Sequence, residues 1–156
     1  MQNYGKIFEN NFKSDWLRTF PDSFILRLPD QLSGYKYTSS NICDFITYYN
    51  NILFLIECKS HKGASLPFNN ITQYDKMKHY TGILGVRIGV VLWLIDKDVI
   101  LYVPISTITQ MKAEGKKSVG LKALKEGYNI KIIPSVKKRV FMKSDYSILL
   151  SLEEGE

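Results

Sequence analysis

Residues 42–59 read ICDFITYYNNILFLIECK, and this stretch decides the fold. Two runs rich in β-branched and aromatic side chains, residues 42–49 and 52–59, are separated by Asn50 and Asn51. Asparagine tolerates the positive φ that both central residues of a two-residue hairpin turn require. The pattern therefore predicts an antiparallel β-hairpin with the two asparagines at its tip.

The register of this hairpin brings two carboxylates together. Counting outward from the turn, Asp44 on the first strand lies opposite Glu57 on the second. Directly opposed residues share a face with β-carbons about 5 Å apart, where like charges destabilise the pair. A divalent hard cation compensates such a pair, because carboxylate oxygens are the ligands that Mg²⁺ and Mn²⁺ prefer. Lys59, two residues beyond Glu57, projects from the same face.

These three residues match the needs of phosphodiester hydrolysis, which are a water nucleophile, charge relief at phosphorus and a stabilised leaving oxygen. Asp44 and Glu57 would hold the cation, which lowers the pKa of its bound water. Lys59 would orient that water or stabilise the charge of the transition state. The pattern predicts a metal-dependent nuclease and leaves open whether one ion or two take part.

The bulk composition predicts one globular nuclease domain spanning residues 1–156, since 156 residues at 45% hydrophobic content suffice for a single core. The net charge of +6 favours a polyanion or an anionic surface as partner. Ten basic and two acidic residues lie between Lys112 and Lys143, and the run VKKR at residues 136–139 is a candidate phosphate-binding patch. Residues 144–156 carry four acidic residues and no basic ones, and are predicted to form an acidic C-terminal tail.

Cysteine usage and hydropathy exclude several classes of protein. Cys43 and Cys58 form no CxxC pair, which argues against a structural zinc site and a disulfide scaffold. Both alternate away from the two carboxylates, so we expect them to be small buried core residues. The longest apolar run, residues 86–95, contains Arg87 and is too short to span a membrane, and the N-terminus lacks a secretory signal. We expect a cytoplasmic protein that does not bind membranes.

The remaining periodicity predicts an α/β fold. Apolar residues at helical spacing predict a first helix over residues 2–16, with Glu9 at the edge of its apolar stripe. Polar stretches over residues 29–41 and 60–70 predict loops. Further strands are predicted over residues 24–28, 86–95, 99–103 and 130–133, and further helices from Asn69 or Asn70 to Tyr80, over 104–114 and over 118–126.

Several blocks of the sequence follow the pattern of a known family. The blocks are residues 5–12 (GKIFENNF), 39–45 (SSNICDF), 56–60 (IECKS) and 65–71 (SLPFNNI), followed by Gln73 and, more loosely, by Lys117 and Ser118. On these residues the chain resembles the PD-(D/E)xK nuclease superfamily and, within it, the RecU-type Holliday junction resolvases. The resemblance covers most of the chain up to about residue 130.

This resemblance implies a single-domain, restriction-endonuclease-like fold with a mixed central β-sheet flanked by helices. It also implies a homodimer, dependence on Mg²⁺ with Mn²⁺ as a substitute, and symmetric cutting of four-way DNA junctions in recombination and repair. The family's positions for binding the metal and its water fall on Asp44, Glu57 and Lys59. The resemblance also implies that the backbone carbonyl of Cys58 is a metal ligand and that Glu9 contacts the metal, directly or through water. Gln73, on the helix that follows the strand with Glu57 and Lys59, falls on a further catalytic position.

Two departures from the family pattern keep alternatives open. Resolvases of this kind carry a long projecting stalk before the catalytic aspartate, and residues 29–41 leave little room for one. Cys43 stands where the superfamily often has proline. The alternatives are another nuclease of the same superfamily, of restriction or repair type, and a DNA-binding relative without catalysis. The sequence identifies no recombination partner.

Overall fold

The computed structural model describes residues 2–29 and 41–151. Its helices are α1 Tyr4–Thr19, α2 Tyr74–Lys78, α3 Ile105–Ala113 and α4 Leu121–Lys125. Its strands are β1 Phe24–Arg27, β2 Phe45–Tyr49, β3 Ile52–His61, β4 Ser65–Pro67, β5 Val86–Leu94, β6 Val99–Pro104, β7 Ser118–Gly120, β8 Lys131–Ile133, β9 Ser135–Lys137 and β10 Met142–Ser144. Three short 3₁₀ turns cover Phe68–Asn70, Ile95–Lys97 and Ser147–Ser151.

Six of these strands form the central sheet, in the order β1-β2-β3-β5-β6-β8. β3 and β5 are parallel, whereas the other neighbours in this sheet are antiparallel. One apolar cluster packs α1 against one face, and a second packs α2, α3 and α4 against the other. The predicted mixed central sheet flanked by helices is therefore confirmed. No helix in the described part of the chain is long and apolar enough to cross a membrane.

The predicted hairpin is present with the predicted register. Asn50 and Asn51 both have positive φ, 52° and 63°, as a two-residue hairpin turn requires. Tyr49 pairs with Ile52, and the pairing continues outward until Phe45 faces Ile56. Since a shift of one residue would turn every side chain to the other face, this turn fixes which residues of β2 and β3 share a face.

Gly89 on β5 lies directly under the buried ring of Tyr102, and a β-carbon there would lie 2.5 Å from a ring carbon. Gly89→Ala is therefore expected to lower the free energy of unfolding by about 1–3 kcal/mol, because the packed ring cannot move aside. Gly5→Ala in α1 is the matched control. Its methyl group would meet nothing closer than 3.6 Å, and it should raise stability by about 0.5 kcal/mol. Urea denaturation measures both, and an unchanged midpoint for Gly89→Ala would contradict this packing.

The predicted helix over residues 118–126 is wrong in its first turn. Residues Ser118–Gly120 form β7, which pairs with β4, and only Leu121–Lys125 is helical. A β-carbon on Gly120 would collide with the carbonyl oxygen of Ala64, so glycine is what permits the two strands to approach. β4 itself lies in a stretch predicted to be loop.

The predicted helix from Asn69 or Asn70 to Tyr80 is shorter in the structure. Phe68–Asn70 forms a 3₁₀ turn with Ile71 as its C-cap residue, and α2 covers only Tyr74–Lys78. Ile71 has a non-helical backbone and is buried in the core, so its packing interrupts the helix.

The segment predicted to be an acidic tail packs against α1 as far as Ser151. Tyr146 and Leu149 are fully buried, and the backbone N–H of Ser144 donates to the Asp15 carboxylate at 2.9 Å. The burial of its apolar residues thus holds this segment against the protein, despite its acidic residues. Residues 152–156, and residues 30–40 of the predicted loop, lie outside the described residues.

Candidate active site

The candidate site lies at the end of the hairpin away from its turn, where β3 extends beyond the first residue of β2. β2 begins at Phe45, whereas its partner β3 runs on past Ile56 to His61. On this uncovered edge the backbone N–H of Cys58 donates to Asp44 Oδ2 at 2.9 Å. Because the N–H and C=O groups of one strand residue point to the same edge, the Cys58 carbonyl faces the Asp44 side as well.

A β-bulge at Asp44 shapes this edge. The N–H of Asp44 donates to the Ile56 carbonyl at 3.1 Å, although Phe45 is the register partner of Ile56. Two residues of one strand thus face one residue of the other, which is the pattern of a bulge and is common beside active sites. The Leu28 carbonyl, which a regular ladder would pair with the Asp44 N–H, accepts a hydrogen bond from Arg27 Nη1 at 2.8 Å.

The bulge explains one wrong prediction. Cys58 packs in the cluster on the α1 face, away from Glu57 as predicted, but Cys43 packs with Leu55 on the Glu57 face. The extra residue in the ladder reverses the alternation before Asp44, so Cys43 does not point away from the carboxylates. Both thiols are buried, as predicted, and burial, followed by the charge of Glu57, raises the pKa of Cys43 to about 12.

Glu57 is a buried carboxylate with an unsatisfied oxygen. The residue is only 5% exposed, its Oε2 lies 3.6 Å from Lys59 Nζ, and its Oε1 is buried with no hydrogen-bond partner in the described structure. Burial and, after it, the adjacent Asp44 charge raise the pKa of Glu57 to about 8, although Lys59 opposes the shift. At neutral pH the pair therefore favours a proton or a cation between its carboxylates.

The donor set of this site fits a hard divalent cation. Asp44, Glu57 and the Cys58 carbonyl meet at one edge, and the unpartnered Oε1 is an oxygen that a cation would satisfy. Over residues 2–29 and 41–151, no group of three or more His, Cys, Asp or Glu side chains is arranged to hold a metal. A site of two carboxylates completed by backbone and water suits Mg²⁺, which usually keeps several of its waters.

In the described part of the chain, Glu9 and Gln73 form no hydrogen bond with Asp44 or Glu57, although the charge of Glu9 is one of the causes that raise the pKa of Cys58. Glu9 lies on α1, and its Oε2 accepts a hydrogen bond from Arg27 Nη2 at 2.7 Å in an ion pair. Gln73 is the N-cap residue of α2, a helix that packs on the Glu57 face, but no hydrogen bond joins its side chain to Asp44 or Glu57 among the described residues. The roles assigned to Glu9 and Gln73 stay predictions.

Arg27 is a residue of this region that the sequence pattern did not single out. Its guanidinium joins Glu9 of α1 to the Leu28 carbonyl, next to the bulge at Asp44. The one available signal was a charged residue in the otherwise apolar run FILRL at residues 24–28. Arg27 thus holds α1 to the start of the hairpin and positions Asp44 through the backbone.

Fold and site together define an α/β protein that carries a buried glutamate, a half-buried aspartate and a lysine on its central hairpin. No protein-family model matches the chain, and no curated protein matches it. Among solved structures, the chain is similar to Hjc, a Holliday junction resolvase from the archaeal hyperthermophile Archaeoglobus fulgidus. The two are 17% identical, the match covers 66% of this chain and 78% of that one, and the TM-score is 0.46.

Proposed function

We propose that this chain is a metal-dependent endonuclease that cuts four-way DNA junctions. The observation that carries the proposal is the burial of Glu57 beside Asp44, with Lys59 Nζ 3.6 Å from Glu57 Oε2. Keeping such a group in the core costs stability, and strongly perturbed carboxylates with a specific charged partner are typical of catalytic sites.

Each of the three side chains has a role in this proposal. The N–H of Cys58 fixes the orientation of the Asp44 carboxylate, so that Asp44 and Glu57 would bind Mg²⁺ or Mn²⁺ from two sides. A cation held there supplies a water of lowered pKa and neutralises charge on the phosphate. Lys59 projects from the same face of β3 and would orient that water or stabilise the negative charge that develops on the phosphate.

The choice of substrate and assembly rests on two further observations. The net charge of +6 supports a polyanion such as DNA. The sequence blocks that resemble RecU-type resolvases support a four-way junction as substrate and a homodimer as the working form. A homodimer would present two equivalent sites, so we propose that it makes one nick in each of two opposed strands.

The test is incubation of the purified protein with a labelled immobile four-way junction and with linear duplex, in Mg²⁺, in Mn²⁺ and in EDTA. We expect paired symmetric nicks in the junction that require metal. Asp44→Asn should reduce the rate by at least about 100-fold, because the variant loses one of two charged metal ligands. Asp22→Asn, at an exposed aspartate in the turn after α1, is the matched control and should cut normally.

Each other result has a definite meaning. Equally fast cutting of linear duplex would favour another nuclease of the superfamily, of restriction or repair type. Junction binding without cutting in either metal would favour a DNA-binding relative without catalysis. Normal cutting by Asp44→Asn would show that the active site lies elsewhere.

A further inference from the structure

Five lysines line a depression of about 430 Å³ at the end of the sheet where β3 and β5 finish, and we call it the lysine groove. The groove also contains Glu126 and two hydroxyl side chains, Ser65 and Ser118. Its lysines are Lys97, Lys116, Lys117, Lys122 and Lys125.

The topology of the sheet brings these lysines together. β4 follows β3 along the chain and pairs with β7, and the N–H of Phe68 donates to the Lys117 carbonyl at 2.9 Å. This pairing holds Lys117 beside Phe68, at the end of β4, and brings Lys116 and Lys117 into one cavity with Ser65. Lys97 lies in the turn after β5, and α4, which follows β7 directly, adds Lys122 and Lys125.

Most of the positive charge in the groove has no counter-charge. Lys116 pairs with Glu126 at 2.9 Å. In the described part of the chain, the other four lysines form no ion pair with an acidic side chain, and all four are exposed. Like charges gathered in a concave surface repel one another and attract anions. The groove is therefore suited to a polyanion rather than to a neutral ligand.

The candidate phosphate patch at residues 136–139 has a weaker claim. Lys137 is already paired with Asp98 at 2.6 Å. The cavity beside it includes Arg18, which is paired with Asp15 at 2.7 Å, and also Asp145. Part of the positive charge there is thus neutralised within the protein.

The position of the lysine groove relative to the carboxylate pair suggests its ligand. His61 lies four residues after Glu57 on extended β3, and it pairs with Leu94 at the end of β5, just before the turn that holds Lys97. Four strand residues span about 13 Å, which equals the axial rise of about four nucleotides in one strand of duplex DNA. One duplex arm can therefore contact both places.

We propose that the lysine groove binds the phosphate backbone of the DNA arm that is cut at the Asp44 and Glu57 pair, at least about four nucleotides from the scissile bond. This inference rests on the proposed function. The contacts are to phosphate, so they add affinity without base specificity.

The test compares two double variants with the same loss of charge. Lys122→Gln with Lys125→Gln changes the groove, and Lys13→Gln with Lys78→Gln changes exposed lysines elsewhere. Glutamine has a helix propensity close to that of lysine, so both variants should fold, which thermal unfolding can check. Binding of a fluorescein-labelled duplex is measured by anisotropy in EDTA over a range of KCl concentrations.

We expect the groove variant to bind about tenfold more weakly at physiological salt. The slope of log affinity against log salt should become less steep by about 2, since each lost phosphate contact removes about 0.9. The control variant should keep the wild-type slope. Equal losses in both variants, or no loss in the groove variant, would overturn the proposal.

A second readout uses the wild-type protein. Lysine acetylation followed by mass spectrometry should show that DNA protects Lys97, Lys117 and Lys122 but leaves Lys13 and Lys78 reactive; uniform protection would contradict the proposal. If the wild type does not cut but the groove variant still loses binding, the proposed function fails and the groove stands. If the wild type cuts and the groove variant binds like the control, the groove fails and the proposed function stands.

Discussion

Glu57→Gln is expected to reduce metal-dependent cutting by at least about 1000-fold while leaving the fold intact. Glutamine has the shape of glutamate, so it fills the same buried space beside Val90 of β5. It carries no negative charge, however, and a site with only two carboxylates cannot lose one and still hold Mg²⁺ firmly. The rate is measured under single-turnover conditions with enzyme in excess over the labelled junction.

The control for this variant is Glu114→Gln, the same chemical change at an exposed residue just after α3. It should cut at the wild-type rate. Calorimetric titration with Mn²⁺ tests whether activity is lost because the metal no longer binds. We expect the wild type to bind the metal and Glu57→Gln to bind it far more weakly. Wild-type cutting by Glu57→Gln would remove Glu57 from the proposed metal site.

The hairpin that carries this site could be predicted because its information is local. Asn50 and Asn51 specify the turn, and the turn fixes every pairing outward as far as Phe45. That register puts Asp44 and Glu57 at the same end of the hairpin, and the Asp44 charge is the second cause, after burial, of the raised pKa of Glu57. No knowledge of the rest of the molecule was needed for this step.

The bulge at Asp44 could not be predicted in the same way, because it depends on groups outside the hairpin. The Leu28 carbonyl accepts a hydrogen bond from the Arg27 side chain, and the Asp44 N–H donates instead to the Ile56 carbonyl of β3. Arg27 in turn binds Glu9 on α1. Spacing alone therefore gave the wrong face for Cys43 and did not reveal that Glu9 already has a cationic partner.

Residues Ser118–Gly120 show a second limit of local patterns. Their sequence was compatible with the start of a helix, but pairing with β4, which is distant in the chain, makes them a strand. A tertiary contact of this kind overrides a weak local preference. The same pairing brings Lys116 and Lys117 into one cavity with Ser65, so the lysine groove could not be predicted from the sequence either.

The stability of the metal-free protein is expected to fall as pH rises from about 4.5 to about 8, because of Glu57. Its pKa is about 8 in the folded protein and close to the ordinary glutamate value of 4.5 in the unfolded chain. Within this window the folded protein keeps a proton that the unfolded chain has released, so raising the pH favours unfolding. Protonated Glu57 makes its full contribution to the free energy of unfolding below about pH 4.5, and this contribution is lost above about pH 8.

Urea denaturation in EDTA across this range measures the effect, with Glu57→Gln as reference because it cannot titrate. The stability of Glu57→Gln relative to the wild type should rise with pH, by roughly 5 kcal/mol in all between pH 4.5 and pH 8, since each pKa unit corresponds to about 1.4 kcal/mol. The buried Asp15 also has a raised pKa, but it is present in both proteins and cancels in the difference. A difference that does not change with pH would contradict the shifted pKa of Glu57.

Added Mg²⁺ should remove most of this difference. A cation that binds the ionised pair in the folded protein, and not in the unfolded chain, stabilises the wild type by mass action. Glu57→Gln should gain much less, so the two proteins should become similar in stability at high pH. If Mg²⁺ stabilised both equally, the cation would be bound elsewhere, and the raised pKa of Glu57 would then have no connection with metal binding.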